Sequence, residues 1–380
     1  MTTFSSVIHL STTRTSDPAS AGIDRFVGLE HIEPENLHIR SWGLVADGTT
    51  FTNTFKRGQV LFGKRRAYQR KVAVADFDGV CSSDIYVFES KDPNVLLPEL
   101  VPFILQSEGF YQYAVKTSAG SLSPRTNWTH LANYEFPLPP VDEQRRIADL
   151  LWAADDDICR TQDLYATTQN LKRIVFSNLL TTGSLEKQQI VFPESWEMLA
   201  IGDVGNIVTG TTPSTSNKEY YGDEFMFVSP ADISEEMCVF ETEKHLSKSG
   251  LDVSRKLPQN SVMVVCIGST IGKVALTTKE CSTNQQINSI ICNKDNDPKF
   301  IYYLMKSLER TIKSFAGATA VPILNKQDFS KIQVKVPPLA EQTRIVSVMD
   351  EFEKVLVASK AKLENSQKLK KQILVSSFGG

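Results

Sequence analysis

Long apolar runs are missing from this 380-residue chain; the longest, Val262 to Ile267, is six residues. A membrane-spanning helix needs roughly 20, so none is expected. The opening MTTFSSVIHLSTTRT lacks the basic start and apolar centre of a secretory leader. Cysteines are few and scattered: the six, at 81, 159, 238, 266, 281 and 292, include no C-x-x-C pair. That spacing suits a reduced, cytoplasmic protein better than a disulfide scaffold or a zinc site. The five histidines, at 9, 31, 38, 130 and 245, likewise form no metal-ligand spacing.

Catalytic signatures are also wanting. No G-x-S-x-G or G-x-G-x-x-G occurs, no glycine-rich turn suited to S-adenosylmethionine, and no Asn-Pro-Pro-aromatic element of the amino-methyltransferase kind. GSTIGKV (268–274) resembles a phosphate-binding loop but has three residues between its glycines rather than four. Val274 also stands where a magnesium-binding Ser or Thr belongs. Asp84 and Glu89, near Lys91, suggest a nuclease site, but they lie five apart on one expected strand and so face opposite ways. Chemistry is therefore expected in another subunit, with no cofactor, metal or catalytic residue in this chain.

What is present is a duplication. PPVDEQRRI (139–147) and PPLAEQTRI (337–345) agree at six of nine positions, at an offset of 198. Extended stretches precede them, NYEFPLPP (133–140) and KIQVKVPP (331–338); in the second, Ile332, Val334 and Val336 alternate with polar residues at the strand period. The prolines stop each strand and suit the start of a helix. Asp142, Glu143 and Glu341 place negative charge in the first turn, where the helix dipole favours it. Upstream, Ala119-Gly120 matches Ala316-Gly317, Asn127 matches Asn325, and RKVAV (70–74) matches GKVAL (272–276). The offset drifts slowly, as duplication followed by loop insertion requires.

A long helix follows each copy. In the second, Ile345, Met349, Phe352, Leu356, Ser359, Leu363, Ser366, Leu369 and Ile373 step by fours and threes with no Gly or Pro from 339 to 378. Ile147, Leu151, Ala154, Ile158, Thr161, Tyr165, Thr168, Leu171 and Val175 repeat the pattern in the first. About 37 residues at about 1.5 Å each would reach roughly 55 Å. Each helix could simply cover its own domain; two seams in one register are better explained by mutual antiparallel packing. The expected fold is α+β, with two globular α/β domains (1–140 and 183–338) joined by two coiled-coil-like helices (141–182 and 339–380) in a pseudo-two-fold arrangement. Such an object suits two separated half-sites on a duplex.

Net charge is −3, which counts against nucleic-acid binding, since nonspecific DNA affinity comes chiefly from phosphate neutralisation. The charge is uneven, however. Residues 56 to 71 hold Lys56, Arg57, Lys64, Arg65, Arg66, Arg70 and Lys71 with no acid, and Tyr68 among them. The run sits between VLF (60–62) and VAV (72–74), expected strands, and fits either a DNA-contacting hairpin or a solvated face. The corresponding CIGSTIGKVAL (266–276) carries one cation, Lys273. There Gly268, Ser269 and Thr270 offer close backbone approach and hydroxyls, and Thr209, Gly210, Thr211, Thr212, Asn284, Gln285 and Gln286 join them as candidates, since Asn and Gln pair bidentately with adenine. Each of these also fits an ordinary turn.

Taken together, the two PPxxEQxRI-helix units, LFGKRRAYQRKVAVADFDGVCSSD (61–84), FPESW…GDVGNIVTGTTPS (192–214), GSTIGKVAL and STNQQINSI (282–290) resemble the specificity (S) subunits of type I restriction–modification systems, over nearly the whole chain. The resemblance implies two target-recognition domains reading a bipartite, asymmetric site in double-stranded DNA, with conserved spacer helices. It implies two methyltransferase subunits as partners, docked near Glu143, Gln144, Arg146, Ile147, Glu341, Gln342, Arg344 and Ile345, and restriction subunits beyond them. S-adenosylmethionine, ATP and magnesium would belong to those partners. One departure stands out: the first domain lacks a counterpart to Pro193–Trp196 and is expected to begin at GIDRFVGLEHIEPENL (22–37). A coiled-coil adaptor binding proteins alone is the alternative.

Overall fold

The structure is a computed structural model describing residues 1–182, 195–317 and 322–379. The contacts divide the chain into two compact units, Met1–Tyr165 with Ala358–Gly380, and Ala166–Val357. The unit boundaries differ from those of the four expected segments, because each long helix contributes to both units. Pro193 and the expected domain boundary at 183 lie outside the described residues.

In the first unit, strand Val60–Gly63 lies between Ile85–Ser90 and Val72–Val74, and Ile8–Ser11 extends the sheet beyond Ile85–Ser90. All these pairings are antiparallel. The central strand is buried on both faces, which is why it reads as an unbroken apolar run. Val60 and Phe62 face a core shared with helices Val101–Gln106 and Glu108–Lys116. Leu61 faces a second core against the sheet of Gly43–Leu44, Arg25–Val27, Gly79–Cys81 and Asn53–Phe55. Arg25–Val27 and Gly79–Cys81 run parallel.

The second unit repeats this plan. Gly205–Thr209, Ile287–Cys292, Val262–Val265 and Val274–Thr277 form the first sheet in the same order, with Cys238–Val239 added at the edge. Phe225–Val228 and Cys281–Thr283 supply the parallel pair of the second sheet. Val262 and Val264 face helix Pro298–Ser307, while Met263 and Val265 face the other sheet. The expected beginning of the first domain near 22 is corrected here. Thr2–Thr3 pairs with Glu135–Phe136 as Glu197–Ala200 pairs with Gln333–Val336, and a short helix and strand follow each. The first ten residues are therefore the structural counterpart of the second unit's start, hidden because the two share a backbone path rather than letters.

The long helices run Val141–Thr182 and Leu339–Phe378. Inside the first unit Asp155 meets Lys370, while Asp157 meets Ser366 and Lys362, so rising numbers oppose falling ones: the segments are antiparallel. The seam differs from expectation at one step in each copy. Leu171 and Leu369 are exposed, and the next residues, Lys172 and Lys370, turn inward. Strict alternation of four and three after 168 and 366 lands on those lysines; choosing by hydrophobicity alone broke the register.

Candidate nucleic-acid interface

The strands Val60–Gly63 and Val72–Val74 are joined by residues 64–71, and the equivalent strands of the second unit by 266–273. The two turns share one hydrogen-bond scheme. Gly63 and Val265 donate N–H to the carbonyls of Lys71 and Lys273 (both 2.9 Å); Arg66 and Gly268 donate to Pro124 and Pro322 (2.7 and 3.0 Å). Lys64 and Cys266 donate to Asp84 and Gln286 (2.9 and 2.8 Å). Four positions in these turns adopt positive φ: Arg66 (55°) and Arg70 (55°) in one, Gly268 (100°) and Gly272 (91°) in the other. Glycine takes that region freely and arginine at a cost. One backbone shape thus carries charge in the first unit and bare main chain in the second.

Around the first turn, most of the cations have partners within the unit. Lys64 Nζ sits 4.6 Å over the Tyr86 ring, and burial lowers its pKa. Arg65 reaches Asp84 (3.5 Å) and donates to Ser123 (3.0 Å), as does Arg66 (3.3 Å). Arg70 pairs with Glu108 (2.6 Å) and Glu35 (3.3 Å), and Lys71 donates to the Leu29 carbonyl (2.6 Å). Tyr68 is exposed at the apex. Lys56 and Arg57, exposed, precede strand Val60–Gly63 rather than lying on the turn. Two residues complete the cluster: Arg125, missed from sequence, which binds Asp84 through Nε (2.8 Å) and Nη2 (3.4 Å), and Asp84, weighed from sequence only as a nuclease carboxylate, whose hydrogen bond from Arg125 holds its carboxyl below the usual range. Asp84 and Glu89 have separate partners; Glu89 accepts from Gln59 (2.7 Å). A signal for Asp84 did exist in the sequence, since it stands 202 residues before Gln286, the offset of the turns.

In the second unit the sequence candidates converge. A pocket of about 440 Å³ is lined by Gly268, Ser269, Thr270, Lys273 and Gln286, together with Ser229, which sequence reasoning missed. Lys273 Nζ donates to the Ile233 carbonyl (2.9 Å). Beside these, Thr209 to Thr212 pack along 283–288: Thr209 Oγ1 donates to Asn288 (2.6 Å), Gly210 N–H to Ile287, Thr211 N–H to Thr283, and Thr212 Oγ1 to Gln285 Oε1 (2.6 Å). A Cβ on Gly210 would lie 2.1 Å from the Asn284 carbonyl, so only glycine fits. Asn284 Nδ2 donates to Gln286 Oε1 (3.0 Å), fixing which face of each amide is presented.

The residues expected to dock partners divide in two. Glu143, Arg146 and Arg344 are exposed, while Ile147 and Glu341 are half-buried, Glu341 accepting from Trp196 Nε1 (3.0 Å). Gln144, Gln342 and Ile345 are buried, which corrects their reading as contact side chains. Gln144 accepts from Leu97 N–H (2.9 Å) and donates to the carbonyls of Val95 and Pro139 (2.8 and 2.9 Å). Gln342 does the same with Asp297, Asp295 and Pro337. The repeated glutamine satisfies buried main chain where a strand-bearing unit meets its helix.

A family model described as the type I restriction modification DNA specificity domain matches residues 27–166 and 193–368. The chain is 27% identical over 380 aligned residues, 79% of this chain and 82% of the other, to the type I restriction enzyme HindI specificity subunit of Haemophilus influenzae. Its fold resembles that of the type I restriction-modification S subunit from M. genitalium (TM-score 0.66, 15% identity, 99% and 95% of the chains covered). It also resembles a chain from a structure describing assembly and conformational transition of a type I R-M system (TM-score 0.58, 20% identity, 100% and 97% covered).

Proposed function

The chain belongs to the type I restriction–modification DNA specificity family, and from that membership we propose that it is the DNA-recognition subunit of a methyltransferase–endonuclease complex, without catalysis of its own. Each unit reads one half of a bipartite, asymmetric site. One observation carries this reading: a turn with equivalent flanking hydrogen bonds and two equivalent positive-φ positions recurs in both units with unlike side chains, as two readers of different half-sites require. Lys64, Arg65, Arg66, Tyr68, Arg70 and Lys71 anchor the first half, with phosphate contacts setting register and base edges giving specificity. In the second, Gly268 to Thr270, Lys273 and Asn284 to Gln286 form an amide-rich surface with a single cation, suited to adenine.

The exposed faces of the long helices, with Glu143, Arg146 and Arg344, dock two methyltransferase subunits, and restriction subunits join them in the cytoplasm. These partners hold S-adenosylmethionine, ATP and magnesium. With a net charge of −3, much of the attraction to phosphate must come from them. Co-expression with the cognate methyltransferase, followed by single-molecule methylome sequencing, should reveal adenine methylation in one split motif. Genome-wide absence of a new motif would overturn the proposal.

A further inference from the structure

We infer that Arg125, held in place by Asp84, is the guanine-reading side chain of the first unit; this rests on the DNA-recognition reading above. A guanidinium carries five N–H donors in a rigid planar fork. Asp84 takes the Nε and Nη2 edge of Arg125 (2.8 and 3.4 Å). Among the described residues no other group binds this guanidinium, and the side chain is 49% exposed. Its end-on pair of donors, one on each terminal nitrogen, is therefore open. That pair matches O6 and N7 of guanine in the major groove.

Both members of the couple are anchored through their backbones. Arg125 exchanges two main-chain bonds with Ala119 (both 2.9 Å), and the Asp84 carbonyl accepts from Lys64. Asp84 is only 16% exposed and also receives Arg65 (3.5 Å). A carboxylate in the middle of a basic cluster weakens attraction to phosphate. Its contribution is therefore geometric: it fixes one edge of the arginine and aims the other. In the second unit, the positions of Asp84 and Arg125 hold Gln286 and Ile323, the latter paired with Ile267 as Arg125 is with Arg65. The carboxylate–arginine device belongs to the first unit alone, so guanine reading through it is confined to one half-site.

The test uses the full chain co-expressed with its methyltransferase, the unaltered chain defining the two half-sites. Arg125→Ala and Arg125→Lys should relax one guanine position in one half, lowering discrimination there about 10-fold or more, while the other half stays as before and reports intact folding. Asp84→Asn should relax the same position. If Asp84 acted merely through charge, removing it would tighten binding to every sequence and leave the motif unchanged. An unchanged motif with Arg125→Ala, or equal loss in both halves, would refute the assignment while leaving DNA recognition standing. No split motif from the unaltered chain would sink that reading and this inference with it.

Discussion

Arg66 and Arg70 occupy left-handed backbone conformations that the second unit reserves for Gly268 and Gly272. A non-glycine residue there costs about 1–2 kcal/mol, and such strain tends to persist where function holds it. Replacing Arg66 with glycine removes the strain and loses only a half-buried hydrogen bond to Ser123. Arg66→Gly should therefore stabilise the chain by about 1 kcal/mol while weakening DNA binding; an unfolding midpoint that fails to rise would refute the strain argument. Arg70→Gly should give no such gain, because Arg70 also binds Glu108 and lies over the Tyr111 ring. Sequence alone marked these arginines as a basic run. Their partners, Ser123 for Arg66 and Glu35 and Glu108 for Arg70, come from segments far along the chain, so no local pattern announced them.

At the scale of elements, the long helices are keyed by a lysine in each seam. Lys370 meets Asp155 (2.6 Å) in the first unit and Lys172 meets Glu353 in the second, positions related by the same offset of 198. The lysine ammonium groups lie over the rings of Phe103 (5.5 Å) and Tyr303 (5.0 Å) respectively. A polar residue in an apolar seam specifies register at a cost in stability. Lys370 and Asp155 are 9% and 6% exposed, so Lys370→Met should cost about 3–5 kcal/mol, whereas replacing both by apolar residues should be nearly neutral. A double-mutant cycle in urea unfolding checks this; equal costs for the single and double changes would refute it. Asp155 also accepts from His38 (2.9 Å), and this bond raises the His38 pKa above its ordinary 6.5 against the opposing effect of burial. That contribution is complete below pH 6.5 and is lost as pH climbs through the raised value. Burial pushes Asp155 up, but His38 and Lys370 together hold it below 3.8, so its contribution is lost only as pH falls through the lowered value. His38→Gln should flatten the stability–pH curve on the alkaline side and weaken the acid side only in part, because Lys370 still holds Asp155; urea unfolding across the pH range checks both limbs.

At the scale of the whole molecule, the first unit is completed by residues from the far end of the second helix. Phe378 is buried in the core that holds Phe4, Phe62, Phe88 and Phe110, with Ile373 and Leu374 against it. Phe378→Ala should cost about 3–5 kcal/mol. Hydrogen exchange should show the loss in Val60–Gly63 and Ile85–Ser90, not in Val262–Val265 of the second unit. Protection lost equally in both would contradict the division. The duplication, the alternating strand at 332–336 and the two helices were legible in the letters, the first because its motifs repeat nearly unchanged and the others because they depend on spacing within a few residues. The seam lysines were not, because a count guided by hydrophobicity steps onto Leu171 and Leu369 instead.

The chain by itself determined that there are two similar halves, where the two long helices begin, and which turns differ in charge. Periodicity and capping act over a few residues, so these follow from local chemistry. Only the tertiary structure decided that each helix is divided between two units and that the repeated glutamines face inward. It also brought Asp84 and Arg125 together as a couple. Those outcomes depend on which groups approach across 40 or more intervening residues, and burial and hydrogen-bond satisfaction in three dimensions, rather than spacing in one, selects them.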